Sequence, residues 1–458
     1  MLVPTDAETL DPRHATDAVA LRTTRLLHAG LVRLDPDTLE PRPYVARGWK
    51  WLAPDTLRVE LRAGIRFHSG REVTANDVKK TIEAWRSPEV GSRHARVVEA
   101  IGAIDVEDDR SVVFRLKHAH ATLLTDLELP ILRADEAASP PRPDGTLDGL
   151  GPFVVVKRAH GEIVLGPAEH GALPPPTHAV VLRTVHDENA RALRMHAGRA
   201  DLVVNGFSPT LLPSFDNTGV HVRSRAGANL TYLMFRDGVV PVEVRRAIST
   251  AIDRELVAKT LLAGRAKAAA TLIPPNHWAH GALSPIPFDP ASARTTLSGP
   301  RRKFTLLTST DRLRGTIARV LGEELADVGI DIEVVPLELG TLLARLGAGD
   351  FELATLQMPE VTEPNVLRVF MHSTSIPPAG ANRARLRDPE IDRLLDEGDS
   401  VVDPGERRAI YIALERRARD VAMLVPLWHE DQVAVASERA RAFDPSAEGR
   451  WLGLASLP

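Results

Sequence analysis

The run TLRVELRAGIRFHSGREVTANDVKKTIEAW, residues 56–85, changes its hydrophobic period midway. Leu57, Val59 and Leu61 alternate with Thr56, Arg58, Glu60 and Arg62, the two-residue period of a strand with one buried face. Gly64 interrupts the alternation, because glycine accepts backbone angles that other residues resist. Ile65 and Phe67 add a short second apolar piece, and residues 68–71 read as a turn. Thr74 is suited to cap a helix, with Asp77 three positions on as the partner acid. Val78, Ile82 and Trp85 then fall at i, i+4 and i+7, one face of a helix. The pattern predicts strand, tight turn and capped helix.

The same two periods recur along the chain. Ile104 and Val106 set against Val112, Phe114 and Leu116 predict a hairpin over 101–116 that turns at Asp108 and Asp109. A short helix is expected over 122–132. Residues 137–151, rich in Pro and Gly, read as a domain boundary. Short apolar strands are expected at 154–156, 163–165 and 179–183. Residues 188–198 predict an amphipathic helix with Ala192, Leu193 and His196 on its apolar face. LTYLMF, residues 230–235, predicts a strand. Residues 242–252 predict a helix that buries Val244, Ala247, Ile248, Ala251 and Ile252, and Asp253 is placed to cap the next helix, ending at Gly264. A strand at 304–307, a stripe of Ile317, Val320, Leu321, Leu325 and Val328, a stop at Gly329 and a strand at 330–335 make a βαβ unit, hence a parallel pair with a right-handed crossover.

Composition narrows the function. The 458 residues imply two or three domains with a large core. A net charge of -4 argues against a nucleic-acid binder, which would carry a basic stripe. The excess of Arg over Lys reads as codon bias rather than phosphate recognition. The chain has no Cys, so disulfides, thiolate zinc sites and cysteine nucleophiles are excluded. No stretch approaches 18 continuous apolar residues, the length a membrane-spanning helix needs. The opening Met1, Leu2, Val3, Pro4, Thr5, Asp6 runs straight into polar sequence. An export leader, or a lipoprotein leader with its Cys, is therefore expected to belong to a precursor. The alternative is that Met1 is the true start and the protein stays in the cytoplasm.

Catalytic signatures are missing. There is no phosphate-binding GxxxxGK[ST], no nucleophile-elbow GxSxG and no HExxH. His429 and Glu430 begin like the last of these but lack a second His at the required spacing. The 16 histidines are scattered without metal-ligand spacing. His118 and His120 would point the same way only on a strand, and read as a strand end or loop. No catalytic residue, metal or cofactor is expected.

LRAGIRFHSG, residues 61–70, followed by TANDV, residues 74–78, closely resembles the signature of the extracellular solute-binding proteins of the peptide/nickel ABC-transporter family, roughly L-R-x-G-V-x-F-H-D-G and then T-A-x-D-V. Ser69 replaces the usual Asp. RRAISTAIDRE, residues 245–255, resembles the family's V-R-x-A-L-x-Y-A-I-D-R, and GLGPF, residues 149–153, its G-T-G-P-F. Asn382, Asp388, Pro389, Asp403, Pro404, Pro426 and Trp428 also sit in family order, so the resemblance covers nearly the whole chain. In the family the first signature mostly specifies the fold, which implies a scaffold role for His68, Ser69 and Asp77.

The resemblance implies an α/β fold of the type II periplasmic-binding-protein kind, two hinged lobes around a central cleft with an additional inserted domain. The first lobe would be residues 1–33, 151–237 and 431–458, the inserted domain 34–150 and the second lobe 238–430. The implied function is the substrate-binding component of an ABC transporter. A monomer would capture a peptide or other small polar solute in the interlobe cleft and deliver it to a membrane permease, with no nucleic acid involved. The other reading left open is a cytoplasmic ligand-sensing regulator built on the same fold.

The resemblance also points to ligand-binding residues. Peptide-binding relatives carry a segment like W-x-G-D-x-x-D-P, whose first acid holds the ligand's α-ammonium and whose Trp lines a side-chain pocket. A carboxylate suits that task because a buried cation must be paired. Here the segment is QMPEVTEP, residues 357–364. Glu360 falls on the ammonium-binding position, Glu363 on the second acid, Gln357 on the Trp position and Met358 beside it. The charge is kept, the arm is one methylene longer and the aromatic wall is gone. Arg236 stands where relatives often have Asn and could hold a ligand carboxylate through its planar fork. The plainer alternatives are an exposed loop acid for Glu360 and a surface ion pair for Arg236.

Overall fold

The computed structural model describes all 458 residues. The chain is mixed α/β and divides into two compact units. The first comprises residues 1–225, 400–402 and 432–458, and the second residues 226–399 and 403–431. The expected lobe boundary at 237 thus moves to 225. The reason is the strand Leu230–Phe235, whose hydrogen-bonding neighbours, Leu353–Met358 and the first part of Leu424–Ala436, belong to the second unit.

In the first unit, Leu2–Val3 lies parallel to both Val180–Thr184 and Leu202–Val204. Glu162–Pro167 and Phe153–Ala159 extend the sheet by antiparallel pairing. The helix Ala18–Leu27 starts at Asp17, whose carboxylate accepts hydrogen bonds from the Val19 and Ala20 amides at 3.0 and 2.8 Å. It buries Val19 and Leu26 against Val3, Phe153 and Leu182.

A four-stranded antiparallel sheet follows in the order Ala46–Ala53, Thr56–Leu61, Ser111–Leu116, Ile101–Asp108. Thr56–Leu61 alternates as expected, with Leu57, Val59 and Leu61 buried. The helix Ala75–Arg86 covers this sheet with Val78, Ile82 and Trp85. Asp77 is fully buried and accepts from the Thr74 amide at 2.8 Å, the Thr74 hydroxyl at 2.9 Å and the Ala134 amide at 2.8 Å, and it pairs with Arg71. The His68 ring donates from Nε2 to the Gly151 carbonyl at 2.9 Å, and its amide donates to the Gly149 carbonyl at 2.9 Å. Both glycines are sterically required. A Cβ on Gly149 would lie 2.0 Å from the Leu27 carbonyl oxygen, and one on Gly151 2.2 Å from that of Leu26. The first signature and the GLGPF turn are therefore two halves of one joint.

Two expectations need correction. The helix expected over 122–132 is only Leu123–Asp126. The helix Glu188–His196 buries Ala192 and Met195, not Leu193, which is 69% exposed, nor His196. Arg191 sets the phase: its buried guanidinium donates to the carbonyls of Val185 and Gly206 at 2.6 and 2.5 Å, turning that side of the helix inward.

In the second unit, Arg302–Ser309 pairs in parallel with Ile330–Leu337 through the helix Arg312–Ala326, the βαβ unit read from the sequence. Leu353–Met358 adds to the other side of Arg302–Ser309 in parallel, and Leu230–Phe235 joins it antiparallel. Leu230–Phe235 is buried at every position. The helix Val242–Ala251 buries Val244, Ala247, Ile248 and Ala251 as predicted, and Asp253 accepts from the Leu256 amide at 2.9 Å to cap the next helix.

Asp77→Ala leaves at least three part-buried donors without their acceptor, and is expected to cost about 3 kcal/mol of stability. Urea unfolding of the variant beside the parent would measure it. An unchanged midpoint would contradict the scaffold role.

Candidate functional site: the 357–364 loop of the second unit

Strand pairing positions this segment. Met358 is opposite Leu230 and Gln357 opposite Thr231 on the antiparallel ladder, and Thr231 in turn faces Trp428. The chain leaves the ladder at Met358, whose side chain is buried in the core. Met358 therefore packs the loop's root.

Three anchors then fix the loop. The Val361 amide donates to the Ala228 carbonyl at 2.5 Å. His277 holds the Thr362 carbonyl at 3.2 Å, while its Nδ1 accepts from the Ala279 amide at 3.0 Å. Burial lowers the His277 pKa to about 4, so the ring is neutral, and its proton sits on Nε2 and donates to Thr362. Third, Glu363 caps the short Pro364–Val366 helix through the Asn365 amide at 3.2 Å. Glu363 also accepts from Arg407 at 2.7 Å. The two side chains are only 13% and 8% exposed. Arg407 donates to the Gly398 carbonyl at 2.9 Å and lies between the rings of Trp278 and Tyr411, at 5.2 and 5.5 Å. Glu363 is thus committed to the protein interior and positions the loop.

Between the buried Met358 and these anchors Glu360 is exposed, and no cation of the chain pairs with it. Gln357 is exposed one turn of the ladder earlier. Its side-chain amide donates to Glu430 at 3.1 Å. Glu430 gathers further donors onto the same oxygen: Arg314 at 2.5 Å, the Thr231 hydroxyl at 3.0 Å and the Trp428 indole at 3.3 Å. Arg314 also reaches the second oxygen at 3.0 Å, a bidentate pair about three-quarters shielded from solvent. Trp428 is buried, so no aromatic face replaces the one missing at Gln357.

Arg236 lies elsewhere. It follows Phe235 at the other end of the same strand, five residues from Thr231, and its amide donates to the Glu352 carbonyl at 3.0 Å. At ~3.4 Å per residue that is roughly 17 Å along the strand. The extended backbone between them therefore keeps Arg236 from joining Gln357 and Glu360 around one small group. Its buried Nε has no hydrogen-bond partner.

Arg314 and Glu430 are the site residues that motif reading missed. Glu430 entered it only as the second letter of an incomplete zinc motif, and Arg314 did not enter it at all. Period-two spacing from Trp428 is the one signal that puts Glu430 on the face of Thr231 and Gln357. His118 and His120 lie beyond the end of Ser111–Leu116, off the strand, and His120 meets the Thr122 hydroxyl at 2.8 Å.

The site therefore offers a free carboxylate, a primary amide and a hydrogen-bonded ion pair on rigid supports. That set can recognise a cation and neighbouring polar groups.

Residues 40–374 match the description of the bacterial extracellular solute-binding proteins, family 5. The chain belongs to that family. It is 24% identical to a probable di/tripeptide-binding protein of Pseudomonas aeruginosa, over 92% of this chain and 88% of that one. Among solved structures it is similar to the ABC-transporter substrate-binding protein CtaP of Listeria monocytogenes, with a TM-score of 0.86 and 20% identity over 99% and 97% of the two chains. It is similar as well to NikZ of Campylobacter jejuni, solved with Ni(L-His), with a TM-score of 0.79 and 20% identity over 100% and 98%. The α/β fold of type II periplasmic-binding proteins is thereby established for this family 5 chain. No helix in it is long and apolar enough to cross a membrane.

Two outcomes test the loop's supports. Arg407→Met should destabilise the protein by about 3–5 kcal/mol, since it strands a buried carboxylate, and adding Glu363→Gln should recover part of the loss. His277 binds a proton more readily unfolded, near pH 6.5, than folded, near pH 4. Its contribution is present above pH 6.5 and lost as pH falls towards 4, up to about 3 kcal/mol. Thermal melts from pH 7 to 4 should show a shallower acid loss for His277→Gln than for the parent.

Proposed function

We propose that this family 5 protein is the substrate-binding component of an ABC transporter, working outside the cytoplasmic membrane and handing its ligand to a membrane permease. The ligand is a small polar solute with a free amino group, of which di- and tripeptides are the leading class. The observation that carries this reading is Glu360, an unpaired carboxylate on a loop fixed on both sides, at the place where the family resemblance puts an ammonium-binding acid. Gln357, three residues earlier, is exposed too, so the neighbouring ligand group is polar rather than an apolar side chain seeking an aromatic wall. The relative named for di- and tripeptides supports the class, and NikZ with Ni(L-His) supports a wider range of amino-bearing solutes on this fold. Glu363 and Met358 support the loop in this reading, and Arg236 takes no part.

Isothermal titration with di- and tripeptides should find binding that Glu360→Ala weakens by about 2–5 kcal/mol, the cost of leaving a ligand cation unpaired. N-acetylated peptides should bind the parent and the variant equally weakly. Equal affinity of the parent and Glu360→Ala for free peptides would remove Glu360 from the site.

A further inference from the structure

A cavity of about 570 Å³ opens among residues of the first unit alone. That volume suits a small molecule. Leu34, Pro174, Pro175 and Leu452 give it an apolar wall. Glu448, 5% exposed, faces it, and one of its carboxyl oxygens has no partner in the protein. A smaller chamber of about 40 Å³ shares Arg33, Leu34, Glu448 and Leu452 with the larger one and reaches Tyr44, whose buried hydroxyl is also without a partner.

The charges around the cavity are otherwise matched. Arg225 pairs with Asp37 at 2.7 Å and with Asp444. Arg450 and Arg25 both engage Glu128. Two ionisable groups of opposite sign remain without an ion-pair contact, Glu448 and Arg33. Arg33 is exposed and lies 5.7 Å over the Tyr44 ring, with no acid of the chain paired to it. A carboxyl group buried with an open oxygen is costly unless something completes it. Burial pushes the Glu448 pKa up to about 7, and the nearby Arg450 charge offsets only part of that rise.

We propose that this cavity is a second ligand site, separate from the Glu360 loop, for a small zwitterion with an aliphatic body: its ammonium on Glu448, its carboxylate on Arg33, its apolar part against the leucine and proline wall. The chemical class is that of an apolar free amino acid.

L-leucine serves as the probe, with L-leucinamide and N-acetyl-L-leucine carrying one charge each, titrated calorimetrically into the full chain. Leucine should bind. Glu448→Gln, nearly isosteric, should weaken leucine and leucinamide by at least ~10-fold. Arg33→Gln should weaken leucine and N-acetylleucine and leave leucinamide unchanged, and as a surface change it decides the matter should Glu448→Gln fail to fold. Glu360→Ala should leave leucine binding as in the parent. The proposal is overturned if leucine gives no binding at millimolar concentration, if both first-unit variants bind it like the parent, or if Glu360→Ala abolishes it. The last result would assign leucine to the second unit and leave the transporter reading standing.

Discussion

The backbone pairing of Leu230–Phe235 is the constraint on which the candidate site depends. Every position of this strand is buried, so its amides and carbonyls must find partners in neighbouring strands. Leu353–Met358 on one side and Leu424–Ala436 on the other provide them. A slip of one residue in Leu353–Met358 would turn Gln357 to the face that Met358 now occupies, and Met358 away from it. The register thereby decides that an amide, a hydroxyl and a carboxylate share one face, and that the loop carrying Glu360 begins where it does.

Buried arginines do a second structural task. Arg191, Arg245, Arg254 and Arg407 are each buried and donate to backbone carbonyls. Arg245 reaches Val240 and Val421, and Arg254 reaches Pro426 and Ser249. A guanidinium has five donors in a rigid fork, so one side chain can satisfy several carbonyls that no strand or helix reaches. The abundance of arginine, which composition alone assigns to codon usage, has a physical use here. Only Arg407 among the four also meets a carboxylate, and that carboxylate, Glu363, sits in the candidate loop.

Much of the fold was legible because it rests on local rules. The alternation of 56–61, the stripe of 242–252 and the βαβ pattern of 304–335 each follow from a period that packing against one face imposes. The phase of Glu188–His196 was not legible. Leu193 is the more apolar residue, yet Arg191 is drawn inward by the carbonyls of Val185 and Gly206, which come from outside the helix. The site was legible in the same uneven way. Glu360 and Gln357 stood out as two letters of one motif, three positions apart. Glu363 carried the same chemistry on paper, but its buried partner lies 44 positions away.

The sequence by itself determined the family, the α/β class, most strands and helices, and the segment that bears the candidate site. These depend on residue order within a few turns or on whole motifs. The tertiary structure alone decided which acids are free and which are spent. Glu360, Glu363, Glu430 and Glu448 are the same side chain in the sequence. One is exposed and unpaired, one is locked to Arg407, one gathers donors from three strands and a helix, and one lies buried with an open oxygen. A carboxylate's role is set by the charges and donors within a few ångströms of it, and those neighbours are brought there by packing, from parts of the chain that no local pattern connects.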